Sequence, residues 1–327
     1  MNKRKLGRSD ISIAPLALGG NVFGWTVTEP AAFSILDAFV AAGFDLIDTA
    51  DVYSRWVPGN RGGESETIIG NWMKERGNRW KVVIATKVGS EMGPGLQGLS
   101  RDHILRAVEA SLRRLQTDHI DLYQSHRDDP AAPIEETLAA YEQLIKAGKV
   151  RAIGASNFTA DRLAQSLAVS EKKKLPRYES LQPLYNLYDR TEFEQTLAPL
   201  CREQQVGVIS YYGLASGFLT GKYRSSRDLS KSVRGQRVGT YLTERGFRIL
   251  AALDQVAARY EVAPASIALA WVMAQTGITA PIASATSVEQ LKALVEAAKL
   301  KLDQQARELL DKASAEPTVA SEAGTAA

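Results

Sequence analysis

The feature that most constrains this chain is a repeated alternation of short apolar, β-branched runs with longer amphipathic stretches. The runs span 16–18, 46–48, 82–87, 120–126, 150–156, 181–185, 206–211 and 279–282. Each is largely apolar along its length instead of at every second residue, which reads as a parallel strand buried on both faces. The intervening stretches have helical periodicity. In 101–115, Ile104, Leu105, Val108, Leu112 and Leu115 share one face, with Ser100 placed as N-cap. The stretch 133–147 runs into Gly148, the residue type expected just past a helix end. Eight such units predict an α/β fold, a closed (β/α)8 barrel in preference to an open sheet.

Ahead of the first unit, 4–6 and 11–13 flank Gly7-Arg8-Ser9-Asp10, which reads as a hairpin capping the bottom of the barrel. Between 221 and 240 the chain turns basic (Lys222, Arg224, Arg227, Lys231, Arg234, Arg237), as expected of a long functional loop after the seventh strand. Residues 315–327 are small and polar and read as a flexible tail. No break in composition divides 1–314, so a single domain is expected.

Hydrophobic residues make up 45% and charged residues 24%, enough apolar material for a core. Forty basic against 37 acidic residues leave a net charge of +3, which gives no support for a nucleic-acid or anionic-membrane partner. No apolar run approaches the ~20 residues that span a bilayer. Arg8 and Asp10 stand where a signal peptide's apolar segment belongs. Cys201 is the single cysteine, so an intrachain disulfide and a cysteine-based zinc site are excluded. That usage fits a reducing, cytoplasmic compartment. With three histidines in all, no metal site is expected; His103 and His119 are read as structural. No pattern bears on oligomeric state.

Barrel enzymes carry their chemistry at the C-terminal ends of the strands. There the chain places Asp48 and Tyr53, Lys87, His126, and Ser156 with Asn157. Taken singly, a strand-end Asp is more often a cap or an ion-pair partner, Tyr53 a rim aromatic, and His126 a bonded core residue. Lys87 is less ordinary, because an ammonium closing a buried strand must be paired or shift its pKa. A free tyrosine, with pKa about 10, is a poor acid–base catalyst at neutral pH. A neighbouring ammonium stabilises the phenolate and lowers that pKa, and Asp48 would keep Lys87 charged.

In chain order the sequence carries LALGGNVFG, DTADVY, IATK, DLYQSH, GASNF, LQPLYN, GVISYYGLASGFLTGKY and PIASATSVEQL. Together these motifs resemble the aldo-keto reductase superfamily, in its bacterial form, over nearly the whole chain. The resemblance implies a TIM barrel with an N-terminal hairpin and an extra C-terminal helix. It implies hydride transfer between NADP(H), or less favourably NAD(H), and a small-molecule aldehyde or ketone or the corresponding alcohol. The catalytic tetrad it implies is Asp48, Tyr53, Lys87 and His126.

The same resemblance implies a cofactor site. Gly19, Gly20 and Asp48 line it; Ser156, Asn157 and Gln182 hold the nicotinamide carboxamide, and Tyr211 stacks on its ring. Leu214, Ser216, Gly217, Leu219 and Lys222 match the pyrophosphate belt, and Ser284, Thr286 and Gln290 match the adenosine end. A capped helix, with Ser287 and Gln290 as a capping box, accounts equally for that last group. The stretch Ile282-Ala283-Ser284-Ala285-Thr286 lacks the cation many relatives carry for a 2′-phosphate, so Arg234, then Arg237, is expected to supply it. Tyr212-Gly213 replaces a common Ser-Pro pair. With Trp25, Trp56 and His126, Tyr212 outlines an aromatic pocket suited to a bulky carbonyl compound.

Two other readings remain open: a cofactor-binding regulatory or redox-sensing subunit, and a Schiff-base lyase using Lys87. No G-x-G-x-x-G supports a Rossmann site, and the glycines of 217–223 are too close for a P-loop.

Overall fold

The computed structural model describes residues 2–316. The chain opens with an antiparallel pair, β1 (Arg4–Lys5) and β2 (Ser12–Ile13). Eight parallel strands follow: β3 (Ala17–Gly19), β4 (Leu46–Asp48), β5 (Val83–Val88), β6 (Ile120–Ser125), β7 (Val150–Ser156), β8 (Tyr178–Gln182), β9 (Gly207–Ser210) and β10 (Ile278–Ala283). They close in chain order, with β10 pairing back onto β3. The helices α1 (Glu29–Ala41), α2 (Glu64–Arg76), α3 (Arg101–Leu115), α4 (Ile134–Lys146) and α5 (Ala160–Lys173) follow the first five barrel strands. After β8 comes α6 (Ala198–Glu203). Between β9 and β10 lie α7 (Gly235–Val238), α8 (Glu244–Tyr260) and α9 (Pro264–Ala274), and α10 (Val288–Ala297) and α11 (Gln304–Ser314) end the fold. This is the expected (β/α)8 barrel with its hairpin and additional C-terminal helix.

Local physics explains the boundaries. The helix expected at 101–115 is α3, but Ser100, although extended at the N-cap position, makes no side-chain capping bond. Gly148 adopts φ +69 after α4, as a C-terminal glycine should. The sixth run was expected at 181–185, whereas β8 ends at Gln182. Pro183 has no N–H to continue a ladder in a central strand.

Alternation along each strand divides the interior of the barrel into two levels. Leu46, Ala85, Leu122, Ala152, Ile209 and Ala280 form an apolar lower level, which Leu6, Ile11 and Ile13 of the hairpin close from below. Two residues further along, on the same side of their strands, come Asp48, Lys87 and Gln124. The outward residues Ile47, Ile84 and Ile153 join the larger core between barrel and helices.

The segment 221–240 is not an open loop. It folds into short helical turns at Ser226–Lys231 and α7, anchored by a capping box between Ser225 and Asp228. The tail expected from 315 is docked at its start. Arg245 donates to the Ser314 carbonyl and pairs with Glu316 at 2.6 Å. Residues 317–327 lie outside the described residues. Among the described residues, no helix is long and apolar enough to cross a membrane, and no group of three His, Cys, Asp or Glu side chains could hold a metal ion.

Candidate active site

The upper level of the barrel interior is polar because its members bond one another. Lys87 Nζ, fully buried, donates to Asp48 Oδ2 at 2.6 Å, to the Thr49 carbonyl at 2.8 Å and to Tyr53 Oη at 3.1 Å. All three ammonium protons are thereby placed. The other oxygen of Asp48 accepts from Gln182 Nε2 at 2.8 Å and Gln124 Nε2 at 3.3 Å. The His126 ring lies 6.0 Å from the Tyr53 ring, at 75° to it. The four residues expected to carry the chemistry therefore meet at one mouth.

The electrostatics follow from burial and charge. Burial opposes the Lys87 ammonium, but Asp48 and then Tyr53 outweigh it and hold its pKa above the ordinary value. For Tyr53 burial dominates and moves the phenol above its usual pKa; Lys87 pulls downward, as expected, without reversing the shift. His126 is pushed well below its usual range by burial, then by Lys87 and Arg127, and is neutral at pH 7. Its Nδ1 is sealed from solvent without a partner, which leaves Nε2 as the nitrogen available to a ligand.

Beside the tetrad, Ser156 Oγ donates to the Gln182 carbonyl, Asn157 Nδ2 donates to the His126 carbonyl, and Tyr211 Oη donates to Asn157 Oδ1. Further round the rim the backbone is left-handed at Tyr212 (φ 57), Ala215 (φ 46), Ser216 (φ 57) and Gly217 (φ 100). Non-glycine residues in this region are strained and concentrate at functional sites; the Ala215 and Gly217 N–H groups are bonded to the Tyr212 and Leu214 carbonyls. Leu214 and Leu219 frame this turn, where the Leu219 N–H bonds the Leu214 carbonyl, and the Lys222 ammonium lies over Gly217. The groups present fit a nicotinamide dinucleotide: amides and a phenol for the neutral head, and a strained turn with a cation for the phosphates.

A Cβ on Gly19 would meet Ser284 Oγ at 2.6 Å, and one on Gly20 would meet Ser65 Oγ at 2.8 Å, so both glycines stand in close packing. Ser284 donates to Asn21, Thr286 donates to Gln290, and Ser287 caps α10. The box is incomplete, because Gln290 reaches back to Thr286 and not to Ser287. Arg234 stacks on Trp25 at 5.2 Å, and Arg237 donates to Tyr212 Oη at 2.9 Å. Neither shares a hydrogen bond with Ser284, Thr286 or Gln290. Trp25 meets Trp56 edge-on at 5.7 Å and Trp56 meets Tyr53 at 6.0 Å, which assembles the expected aromatic mouth.

Sequence reasoning missed Gln124, which lies within DLYQSH and pairs in register with Lys87. It also missed a buried acid cluster behind the tetrad. Asp51 is pushed up to about 8 by burial and by Glu66, and Glu66 is bonded by Arg114 and Thr86. The acidic residue inside DTADVY was the available signal.

Comparison with known proteins agrees with this geometry. The family model described as Aldo/keto reductase family matches residues 15–315. "Uncharacterized oxidoreductase YrpG" of Bacillus subtilis is 36% identical over 94% of this chain and 94% of its own length. "Aldo-keto reductase YhdN" of the same organism is 33% identical over 88% and 84%. A "Putative voltage-gated potassium channel subunit beta" of Schizosaccharomyces pombe is 32% identical over 94% and 91%. The barrel, the polar upper level of its interior and these matches together place the chain in the aldo/keto reductase family of oxidoreductases.

Proposed function

We propose that the protein reduces an aldehyde or ketone, or oxidises the corresponding alcohol, with NADP(H) as preferred cofactor and NAD(H) as the alternative. The observation that carries this reading is the chain of contacts from Asp48 through Lys87 to Tyr53 beside a neutral His126. A reduced nicotinamide bound along Ser156, Asn157, Gln182 and Tyr211 would supply hydride to the carbonyl carbon. Tyr53 would give its proton to the carbonyl oxygen as negative charge develops there, and Lys87 would stabilise the tyrosinate left behind. A phenol held protonated at neutral pH suits this donation. Nε2 of His126 would hydrogen-bond the same oxygen and orient it, and Asp48 would keep Lys87 charged. Lys222 and the strained turn before it would hold the pyrophosphate. A cytoplasmic location, read from cysteine usage, belongs to the same proposal.

The Schiff-base reading loses its basis, because a lysine held protonated with every proton bonded is not a nucleophile. A regulatory, cofactor-binding role draws support from the relative named as a channel β subunit. One screen separates the two: absorbance at the reduced-nicotinamide band with a panel of carbonyls and alcohols, each with NADP(H) and NAD(H). Turnover supports the oxidoreductase; cofactor binding without turnover on any compound supports the regulatory role.

A further inference from the structure

The rim segment between Tyr53 and α2 closes on itself, because the Gly63 N–H donates to the Tyr53 carbonyl at 3.2 Å. Compact loops of this kind are packed by their own side chains and are often functional. Two side chains reach from it to the loop that carries Trp25. Ser54 Oγ, fully buried, donates to the Phe23 carbonyl at 2.7 Å. Asn60 Nδ2 donates to the Gly24 carbonyl at 2.9 Å and to the Ser54 carbonyl at 3.0 Å. The consecutive carbonyls of Phe23 and Gly24 are thus both held from the neighbouring loop. Ser54 stands at φ 64, a left-handed backbone that is strained for a non-glycine residue, directly after Tyr53. Gly24, at φ 73, is pressed against the start of α2, where a Cβ would lie 2.8 Å from Glu64 Cβ. Glu64 in turn accepts from the Arg61 and Gly62 N–H groups. The aromatic wall is built on this clasp: Trp25 follows Gly24, Trp56 stands two residues after Ser54, and their rings meet edge-on at 5.7 Å.

We propose that Asn60, together with Ser54, is a specificity-determining positioning residue. It clasps the loop of Trp25 to the loop of Tyr53 and Trp56, so that the aromatic wall stands at a fixed distance from the phenol before a substrate arrives. The proposal rests on the oxidoreductase reading above. All three bonds end on main-chain carbonyls, so they fix the course of both loops and not the pose of a single side chain. Ordering two loops around a bound ring costs affinity, and a wall ordered in advance avoids that cost. A short aliphatic carbonyl compound that does not reach the wall gains nothing from it and needs only Tyr53 and His126. The clasp therefore acts on the choice between ring-bearing and short compounds, and not on proton donation.

The test compares benzaldehyde with propanal, under saturating NADPH, in the wild type, Asn60→Ala and Asn60→Gln. Asn60→Ala should lower kcat/KM for benzaldehyde about tenfold, through KM, and change kcat for propanal by less than about twofold. Asn60→Gln, which keeps the amide donors, should recover part of the loss. An equal loss on both aldehydes overturns the proposal, because the amide then serves the phenol or the fold at large. An unchanged KM for benzaldehyde overturns it as well. A second measurement needs no turnover: nitrobenzene, a ring without a carbonyl group, quenches tryptophan fluorescence. Its Kd should rise about tenfold in Asn60→Ala, and an equal Kd in the two proteins overturns the proposal. A wild type inert on the whole carbonyl panel removes the oxidoreductase reading, and the nitrobenzene titration then decides by itself whether Asn60 fixes the wall.

Discussion

Lys87 and Asp48 form a fully buried ion pair, 2.6 Å from Nζ to Oδ2, across neighbouring barrel strands. Two charges in a low-dielectric interior are stable only if each satisfies its remaining hydrogen bonds. Here Thr49 and Tyr53 complete the ammonium, and Gln124 and Gln182 complete the carboxylate. Asp48→Asn removes the charge and introduces an amide group facing either Lys87 or the two glutamines. A loss of about 3–5 kcal/mol in unfolding free energy is expected, with turnover falling further. Denaturant titration of both proteins checks it, and a loss below about 1 kcal/mol would contradict the buried-pair account.

Tyr53→Phe keeps the ring against Trp56 and removes only the proton donor. Turnover should fall about 10²–10⁴-fold while the Kd for NADPH changes little. Lys87→Met should be similarly damaging, with a separate signature. Lys87 lowers the Tyr53 pKa against the upward pull of burial. Its removal therefore leaves the phenol protonated to still higher pH, and the alkaline limb of residual activity should move upward. A pH–rate profile at saturating cofactor decides; an unmoved limb would mean that lysine does not tune the phenol.

Asp51 offers a stability test outside the chemistry. Burial and Glu66 raise its folded pKa from 3.8 to about 8. A carboxyl raised in the folded state contributes stability that is intact below about pH 4 and lost progressively as pH rises through about 8. Asp51→Asn cannot ionise, so its melting temperature should exceed that of the wild type by more at pH 8.5 than at pH 5. Melting curves at the two values measure the gap, and a gap independent of pH would show that Asp51 is ionised throughout.

Gly154 stands in register with Gln124 on one side and Ser180 on the other. A Cβ there would lie 2.3 Å from Ser180 Oγ and 3.1 Å from Gln124 Cγ. Gly154→Ala should cost about 1–3 kcal/mol by overpacking and lower kcat by displacing Gln124 from Asp48. Ser180 Oγ is buried without a partner, so Ser180→Ala should cost little alone and should recover part of the loss in the double variant. Strict additivity of the two substitutions in a double-mutant cycle would refute the contact.

The sequence by itself determined the periodic architecture and which side chains reach the mouth. β4 and β7 occupy the residues expected of them, and Asp48, Lys87 and His126 stand at strand ends because local periodicity and strand length are properties of short segments. Only the tertiary structure decided which distant residues share a contact. Gln124 reads as one more polar residue in a strand until barrel closure places it against Asp48, 76 positions away. The net upward shift of Tyr53 depends on burial by the whole mouth, which no local motif encodes. Arg234 was expected at the adenosine end because its charge suited a phosphate. That its guanidinium stacks on Trp25 was decided by the folding of 221–240 over the rim, since the position of a long connection depends on what it packs against and not on its own periodicity.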